Sequence, residues 1–151
     1  MLKNSDKVII THLRRDGRKN VTDISKEVKI PATTIYDRLR LLQRKYVKKN
    51  AMLMEFDKMG YPVTCFITIN VKSDKKDNLN SYLMGHGNVN SLFKLNYGSK
   101  ILIEGVFKSI NQLDKFIEEV QSRFEVENIH ADYVTEELKR ESFLTDLSHF
   151  E

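Results

Sequence analysis

Asn20-Val21-Thr22-Asp23-Ile24-Ser25-Lys26-Glu27-Val28-Lys29-Ile30-Pro31-Ala32-Thr33-Thr34-Ile35-Tyr36-Asp37-Arg38-Leu39-Arg40-Leu41-Leu42-Gln43-Arg44-Lys45 is the stretch whose reading decides the fold. Val21, Ile24 and Val28 recur at i, i+3, i+7, which predicts a short helix over 21–28 with Asn20 as its cap. Pro31 then marks the entry of a second helix, because a proline there gives up no hydrogen bond the helix needs. In that helix, about Ala32–Lys45, Ile35, Leu39 and Leu42 fall on one side. At 100° per residue, Thr33, Asp37, Arg40 and Arg44 point the opposite way, with Thr34, Tyr36 and Arg38 on the flanks. Short hydroxyls followed by arginines suit phosphates and base edges in a major groove.

Upstream, Ile9, Ile10 and Leu13 predict another helix, about Asn4–Arg15, capped by Asn4 or Ser5 and ended by Asp16-Gly17-Arg18, with Gly17 at positive φ. Downstream, Lys45-Tyr46-Val47-Lys48-Lys49 leads toward a short strand or wing near Ala51–Phe56, where lysines would meet flanking phosphates. Two helices, a brief turn and a third, basic helix make the helix-turn-helix plan. Charge points the same way. Residues 1–50 hold fourteen Lys/Arg against five Asp/Glu, a balance of +9, whereas 51–151 hold eleven against sixteen, or −5. A chain split in this manner reads as two modules, of which the first suits a polyanion.

The remainder follows a different period. Val63, Cys65, Ile67, Ile69 and Val71 alternate with Thr64, Phe66, Thr68 and Asn70, the mark of a half-buried strand. A helix from Ser73 or Asp74 carries Leu79, Tyr82 and Leu83 and ends at Gly85-His86-Gly87. Strands at about Ser91–Tyr97 and Lys100–Phe107 flank Gly98-Ser99 as a hairpin. Ser109 caps a helix with Ile110, Leu113, Phe116, Ile117, Val120 and Phe124, and a last strand spans about Val126–Val134. The order β-α-β-β-α-β predicts a ferredoxin-like sheet with both helices on one face. Its other face keeps apolar residues whichever parity faces the helices: Phe66 or Ile69, Phe93 or Leu92, Ile129 or Tyr133. Such a face points to a partner, most simply a second copy.

The expected class is therefore α+β: a winged helix-turn-helix domain over 1–50, a linker strand over 51–62, and a ferredoxin-like domain over 63–151. The residues expected on DNA are Thr33, Thr34, Tyr36, Asp37, Arg38, Arg40, Arg44, Lys48 and Lys49. One Cys, Cys65, excludes an internal disulfide and a multi-cysteine zinc site, and the four histidines match no ligand spacing. No cofactor, metal or catalytic constellation is expected, so neither is an enzyme. The absence of a long apolar run or signal-peptide start leads to the expectation of a cytoplasmic, nucleoid-associated protein with no membrane partner.

These segments together resemble the Lrp/AsnC (feast/famine) family of prokaryotic transcription regulators over almost the whole length. Leu2–Arg18 is similar to that family's opening helix and Asp-Gly-Arg turn, Val21–Val28 to its second helix, and Thr33–Leu42 to its recognition helix, with Arg38 and Arg40 at its basic positions. The β-α-β-β-α-β part resembles its RAM ligand-binding and dimerisation module. The resemblance implies pseudo-palindromic duplex DNA as target, a homodimer or an octamer of dimers, and an amino-acid effector at the RAM interface. Lys29 and Tyr46 stand where the family usually carries Gly. Its Gly-Asp-x-Asp hairpin is here Asn96-Tyr97-Gly98-Ser99-Lys100-Ile101, which lacks the acid for an effector's ammonium group; Lys100 would suit an anion instead. The candidate effector residues are Tyr97, Gly98, Ser99, Lys100 and Glu104, of which Glu104 reads either as an interface-pocket residue or, more simply, as solvent-facing. Two other functions fit the same residues: a small-molecule-binding metabolic protein, or a weakly specific architectural DNA-binding protein.

Overall fold

The computed structural model describes residues 2–71, 75–96 and 100–151. The chain forms two units, one of Met1–Leu53 with Leu138–Glu151 and one of Met54–Glu137. The expected boundary at 63–151 is thus redrawn, because the last fourteen residues pack with the helices rather than with the sheet.

In the first unit, α1 (Asn4–Arg15), α2 (Val21–Val28) and α3 (Ala32–Tyr46) enclose a small core. Ile9, Val21, Ile24, Ile35 and Leu42 are buried at its centre, and Ile10, Leu13, Val28 and Leu39 pack around them. These are the positions the helical spacing selected. Burial of each such side chain stabilises the unit by about 1.5–3 kcal/mol.

The caps depart from expectation at both ends of α1. Lys3, rather than Asn4 or Ser5, is the N-cap, and the Asp6 carboxylate reaches back to accept the Lys3 N–H at 2.8 Å. Gly17 is not at positive φ. The Asp16 side chain closes the turn instead, accepting the Arg18 N–H at 2.9 Å, while the Asp16 N–H bonds the His12 carbonyl. Asn20 caps α2 as expected, accepting the Thr22 N–H at 2.9 Å. Lys29 ends α2 in the left-handed region, φ 55° and ψ 37°, which is where a glycine would carry no Cβ penalty. The Ser25 hydroxyl donates to the Ile30 carbonyl at 2.6 Å and ties this turn. Tyr46, by contrast, is the last residue of α3 and has no positive φ.

The second unit is a four-stranded antiparallel sheet in the order β2-β3-β1-β4, formed by β1 (Val63–Val71), β2 (Val89–Leu95), β3 (Lys100–Phe107) and β4 (Val126–Tyr133). Helices α4 (Lys76–Gly85) and α5 (Ile110–Phe124) cover one face. Cys65, Ile67 and Ile69 of β1 stand opposite Gly105, Ile103 and Ile101 of β3 on that face. Leu79 and Leu83 of α4 and Leu113, Phe116 and Val120 of α5 complete the core. Ser109 caps α5, its hydroxyl accepting the Gln112 N–H. The expected start of α4 at Ser73 or Asp74 lies outside the described residues.

β2 begins at Val89, two residues before the expected start, because the register shifts between Val89 and Ser91. Asn88 extends the pairing by bonding Val106 in both directions, its main-chain carbonyl accepting at 2.9 Å and its amide donating at 2.7 Å. Gly105 sits where a Cβ would lie 2.6 Å from the Phe107 ring, a ring that itself packs on Phe116.

Candidate nucleic-acid interface

The sequence of α3 sorts its residues by face, and the fold keeps that sorting. Ile35 and Leu42 are buried, so the helix cannot roll, and the opposite side is fixed toward solvent. Thr33, Thr34, Tyr36, Asp37, Arg40 and Arg44 are all exposed. None of their side chains makes a hydrogen bond or ion pair with the described residues. Asp37, Arg40, Leu41, Arg44 and Lys45 line one shallow groove along this surface. Two guanidinium groups therefore stand free over a helix whose first turn carries two hydroxyls and open N–H groups, an arrangement able to accept phosphate and base edges.

Arg38 is a correction. Its guanidinium is turned inward and forks onto Asp6 of α1, Nε to Oδ1 at 2.7 Å and Nη2 to Oδ2. The Asp6 side chain is only 2% exposed, so the pair spans the base of the helical unit. The Arg38 hydrogen bonds hold the Asp6 carboxyl below its usual range, and Asp6 in turn raises Arg38. Arg38 braces α3 against α1 and is not available as a reader. Asp6, the residue that makes this so, drew no functional reading from the sequence; an acid at the third position of a helix was its only signal.

The short strand expected near Ala51–Phe56 is not formed. The chain there is irregular and ends in a 3-10 turn at Asp57–Met59. A strand needs a paired neighbour for its N–H and C=O groups, and no strand of the described residues runs beside it. Lys48 and Lys49 are exposed on this irregular segment and make no ion pair with the described residues, which keeps them open to a phosphate backbone. Lys45 lies over the Tyr46 ring at 5.3 Å.

Two further arginines of the basic third are engaged. Arg14 and Arg15 bond to the C-terminal residues 141–146. Sequence reading counted them as charge only. Near them, Lys19 pairs with Glu27 at 2.6 Å and contacts His12 Nδ1 at 3.2 Å. Burial, followed by the nearby Lys19, holds the His12 pKa below its usual value.

In the sheet unit the face away from the helices carries Phe66 and Phe93, 37% and 51% exposed, with Leu102 opposite Phe93 on one side and Thr68 on the other. On β4 this face is polar: Asn128, His130 and Asp132 fall there, while Ile129 faces the helices and Tyr133 shares its parity at the strand's end. Glu104, opposite Phe66, is 5% exposed and is not solvent-facing. Asn90 Nδ2 and the Ser91 hydroxyl donate to its Oε2 at 2.9 and 2.7 Å. The β2 irregularity is what turns Asn90 toward it. Lys100 is exposed at the end of β3, and Tyr97, Gly98 and Ser99 lie outside the described residues. Cys65 is buried, and burial raises its thiol to about 11, consistent with an inert core residue. No group of metal-binding side chains occurs among the described residues.

Residues 2–45 match the family described as winged helix-turn-helix DNA-binding. The HTH-type transcriptional regulator FL11 of Pyrococcus furiosus is 27% identical over 132 residues, covering 87% of each chain. Among solved structures, a transcriptional regulator of Neisseria meningitidis in complex with L-Met superposes with a TM-score of 0.84 at 20% identity, over 93% of this chain and 94% of that one. AsnC of E. coli gives 0.79 at 21% identity, over 93% and 96%. The chain thus carries a winged helix-turn-helix at its amino end, is similar over most of its length to proteins named as HTH-type transcriptional regulators, and shares the fold of AsnC.

Proposed function

We propose that α3 lies in the major groove of duplex DNA, with Arg40 and Arg44 on bases or phosphates, Thr33 and Thr34 at the groove edge, and Lys48 and Lys49 on the flanking backbone. The single observation that carries this is the exposed, unengaged Thr/Arg surface of α3 above a helix locked by Ile35 and Leu42. Tyr36 and Asp37 border the same surface. Two copies joined through the Phe66–Phe93 face of the sheet would present two such helices to a pseudo-palindromic site, with half-sites about 34 Å apart. Phe66 and Phe93 are the support for that dimer. The relatives' naming as regulators supports a non-enzymatic role, acting on DNA in the cytoplasm.

The effector is part of the same proposal. The Neisseria meningitidis protein binds L-Met. Here the hairpin expected to meet an effector offers Lys100 rather than an acid, and Glu104 already accepts from Asn90 and Ser91. A ligand with a carboxylate or phosphate directed at Lys100 fits this chemistry better than an ammonium group.

The test is binding to operator-like and scrambled duplexes as salt is raised. The regulator reading expects a log–log slope of about −0.9 per phosphate contacted and a preference for one sequence of roughly a thousandfold or more. Equal affinity for both duplexes would leave the architectural reading, and no binding at low salt would leave the metabolic one.

A further inference from the structure

The last fourteen residues, Leu138–Glu151, belong to the helical unit, and adjacent arginines at the end of α1 hold them there. Arg14 Nε donates to the Phe143 carbonyl at 2.9 Å, and its Nη2 donates to the Glu141 carbonyl at 2.8 Å and to Glu141 Oε2 at 2.9 Å. Arg15 Nε donates to the Thr145 carbonyl at 2.6 Å, and its Nη2 lies 3.4 Å from Asp146 Oδ2. The short 3-10 helix Leu147–Phe150 rests on α1, with the Lys7 ammonium 5.6 Å from the Phe150 ring centre. Asp146 caps that helix through the Ser148 N–H and hydroxyl.

This docking is made of weak parts. Its ion pairs are about half exposed, and such pairs contribute roughly 0–1 kcal/mol each. Two of the presenting residues, Glu141 and Leu144, sit at φ 50° and 62°, a conformation that costs an L-residue on the order of 1–2 kcal/mol. A segment held so loosely by planar guanidinium forks exchanges readily for another set of oxygens.

The oxygens in place are three carbonyls and two carboxylates, and a guanidinium accepts phosphate oxygens in the same forked geometry. Arg18, exposed in the turn after α1, lines a shallow pocket with Arg15 in which Asp16, Asp23 and Glu27 also lie. We propose that Arg14 and Arg15 form a phosphate-binding patch separate from α3, and that residues 138–151 fill it in the free protein as an internal competitor which the DNA backbone displaces. This rests on the DNA-binding reading above.

The experiment compares the full chain with the E141Q/D146N variant and with a chain ending at Glu137, each titrated with a duplex of unrelated sequence over a range of salt. Both variants are expected to bind about three- to tenfold tighter at low salt, and the shortened chain to steepen the log–log slope by one to two units. Adding R14A/R15A to either removes the gain, and a peptide of residues 138–151 restores weaker binding to the shortened chain. An E118Q/E127Q variant, with the same charge change in the sheet unit, leaves affinity unchanged. Unchanged or weaker binding by E141Q/D146N overturns the proposal, as does a gain that survives R14A/R15A; E141Q/D146N alone decides if the shortened chain does not fold. A full chain that binds no duplex at low salt overturns the DNA-binding reading itself, whereas a full chain that binds as its variants do overturns only the competitor.

Discussion

Arg38 of α3 and Asp6 of α1, thirty-two residues apart, are joined by a forked pair of hydrogen bonds in which the same carboxylate also accepts the Lys3 N–H. Removing the acid strands a largely buried guanidinium and uncaps α1 together. Asp6→Ala is therefore expected to destabilise the helical unit by about 2–4 kcal/mol, read by urea unfolding. Arg38→Met in the same background should recover part of the loss, because no unpaired charge then remains. The carboxyl is held below 3.8, so its stabilisation is complete above that pH and disappears as pH falls through the lower folded value. An Asp6→Ala chain should lose that acid-limb dependence.

The turn between α2 and α3 stores strain at Lys29, φ 55°. Lys29→Gly is expected to raise the stability of the helical unit by up to about 1 kcal/mol, less what glycine costs in chain entropy, and Lys29→Val to lower it by a similar amount or more. Thermal melts of the two variants check this; a Gly variant less stable than the parent would show that the ammonium stem contributes more than the backbone loses.

The helices of the first unit were legible because a buried stripe at i, i+3, i+7 carries its own phase, and Ile9, Ile24, Ile35 and Leu42 all went where that phase sent them. The facing of β1 was legible for the same reason, since its odd positions are uniformly apolar. Partners were not. Arg38 sits on the flank of α3, an angle that fits DNA or an acid equally well, and Asp6 is too distant in sequence for spacing to link them. Ala51–Phe56 lies where a wing strand was expected, but its Ala, Met, Leu and Glu have little strand preference and no strand among the described residues runs beside it. Residues 138–151 follow β4 in sequence, yet Arg14 and Arg15 draw them to the helices. Asn90 shows the same limit in the sheet, since a single irregularity turned it onto Glu104 and made that acid a buried group.

His12 lies between Lys19, Glu27 and Arg15, and burial with the Lys19 charge outweighs the attraction of Glu27, so its folded pKa lies below 6.5. The unfolded chain thus binds the proton more readily. Stability should be full above neutral pH and decline as pH falls through and below 6.5, levelling off once the folded state also protonates. A His12→Gln variant is expected to flatten this limb in melts taken from pH 7 down to about pH 5, with the Asp6 limb left in place.

In the proposed docking Arg40 reads and Lys48 anchors, and two substitutions test that division. Arg40→Ala is expected to weaken the preferred duplex by about 1–3 kcal/mol while scrambled duplex loses less, since a base contact discriminates. Lys48→Ala should weaken both alike and reduce the salt slope by about one. Arg38→Ala, by contrast, should act through stability: its loss in binding should track the fraction unfolded. Anisotropy at two salts, paired with melts, distinguishes the three.

Phe93 tests the sheet face. It is half exposed on β2, opposite Leu102 on the sheet face away from the helices, so a lysine there costs the single chain little. Across a two-fold axis the same lysine occurs twice in one interface, where burying each unpaired ammonium opposes association by several kcal/mol. Phe93→Lys is therefore expected to halve the mass seen by light scattering at micromolar concentration, with circular dichroism unchanged. Because two half-sites would then be gripped independently, affinity for a pseudo-palindrome should fall toward that for a single half-site, while the salt slope per helix stays the same. A variant that keeps the parent's mass and its affinity would place the self-association surface elsewhere on the chain.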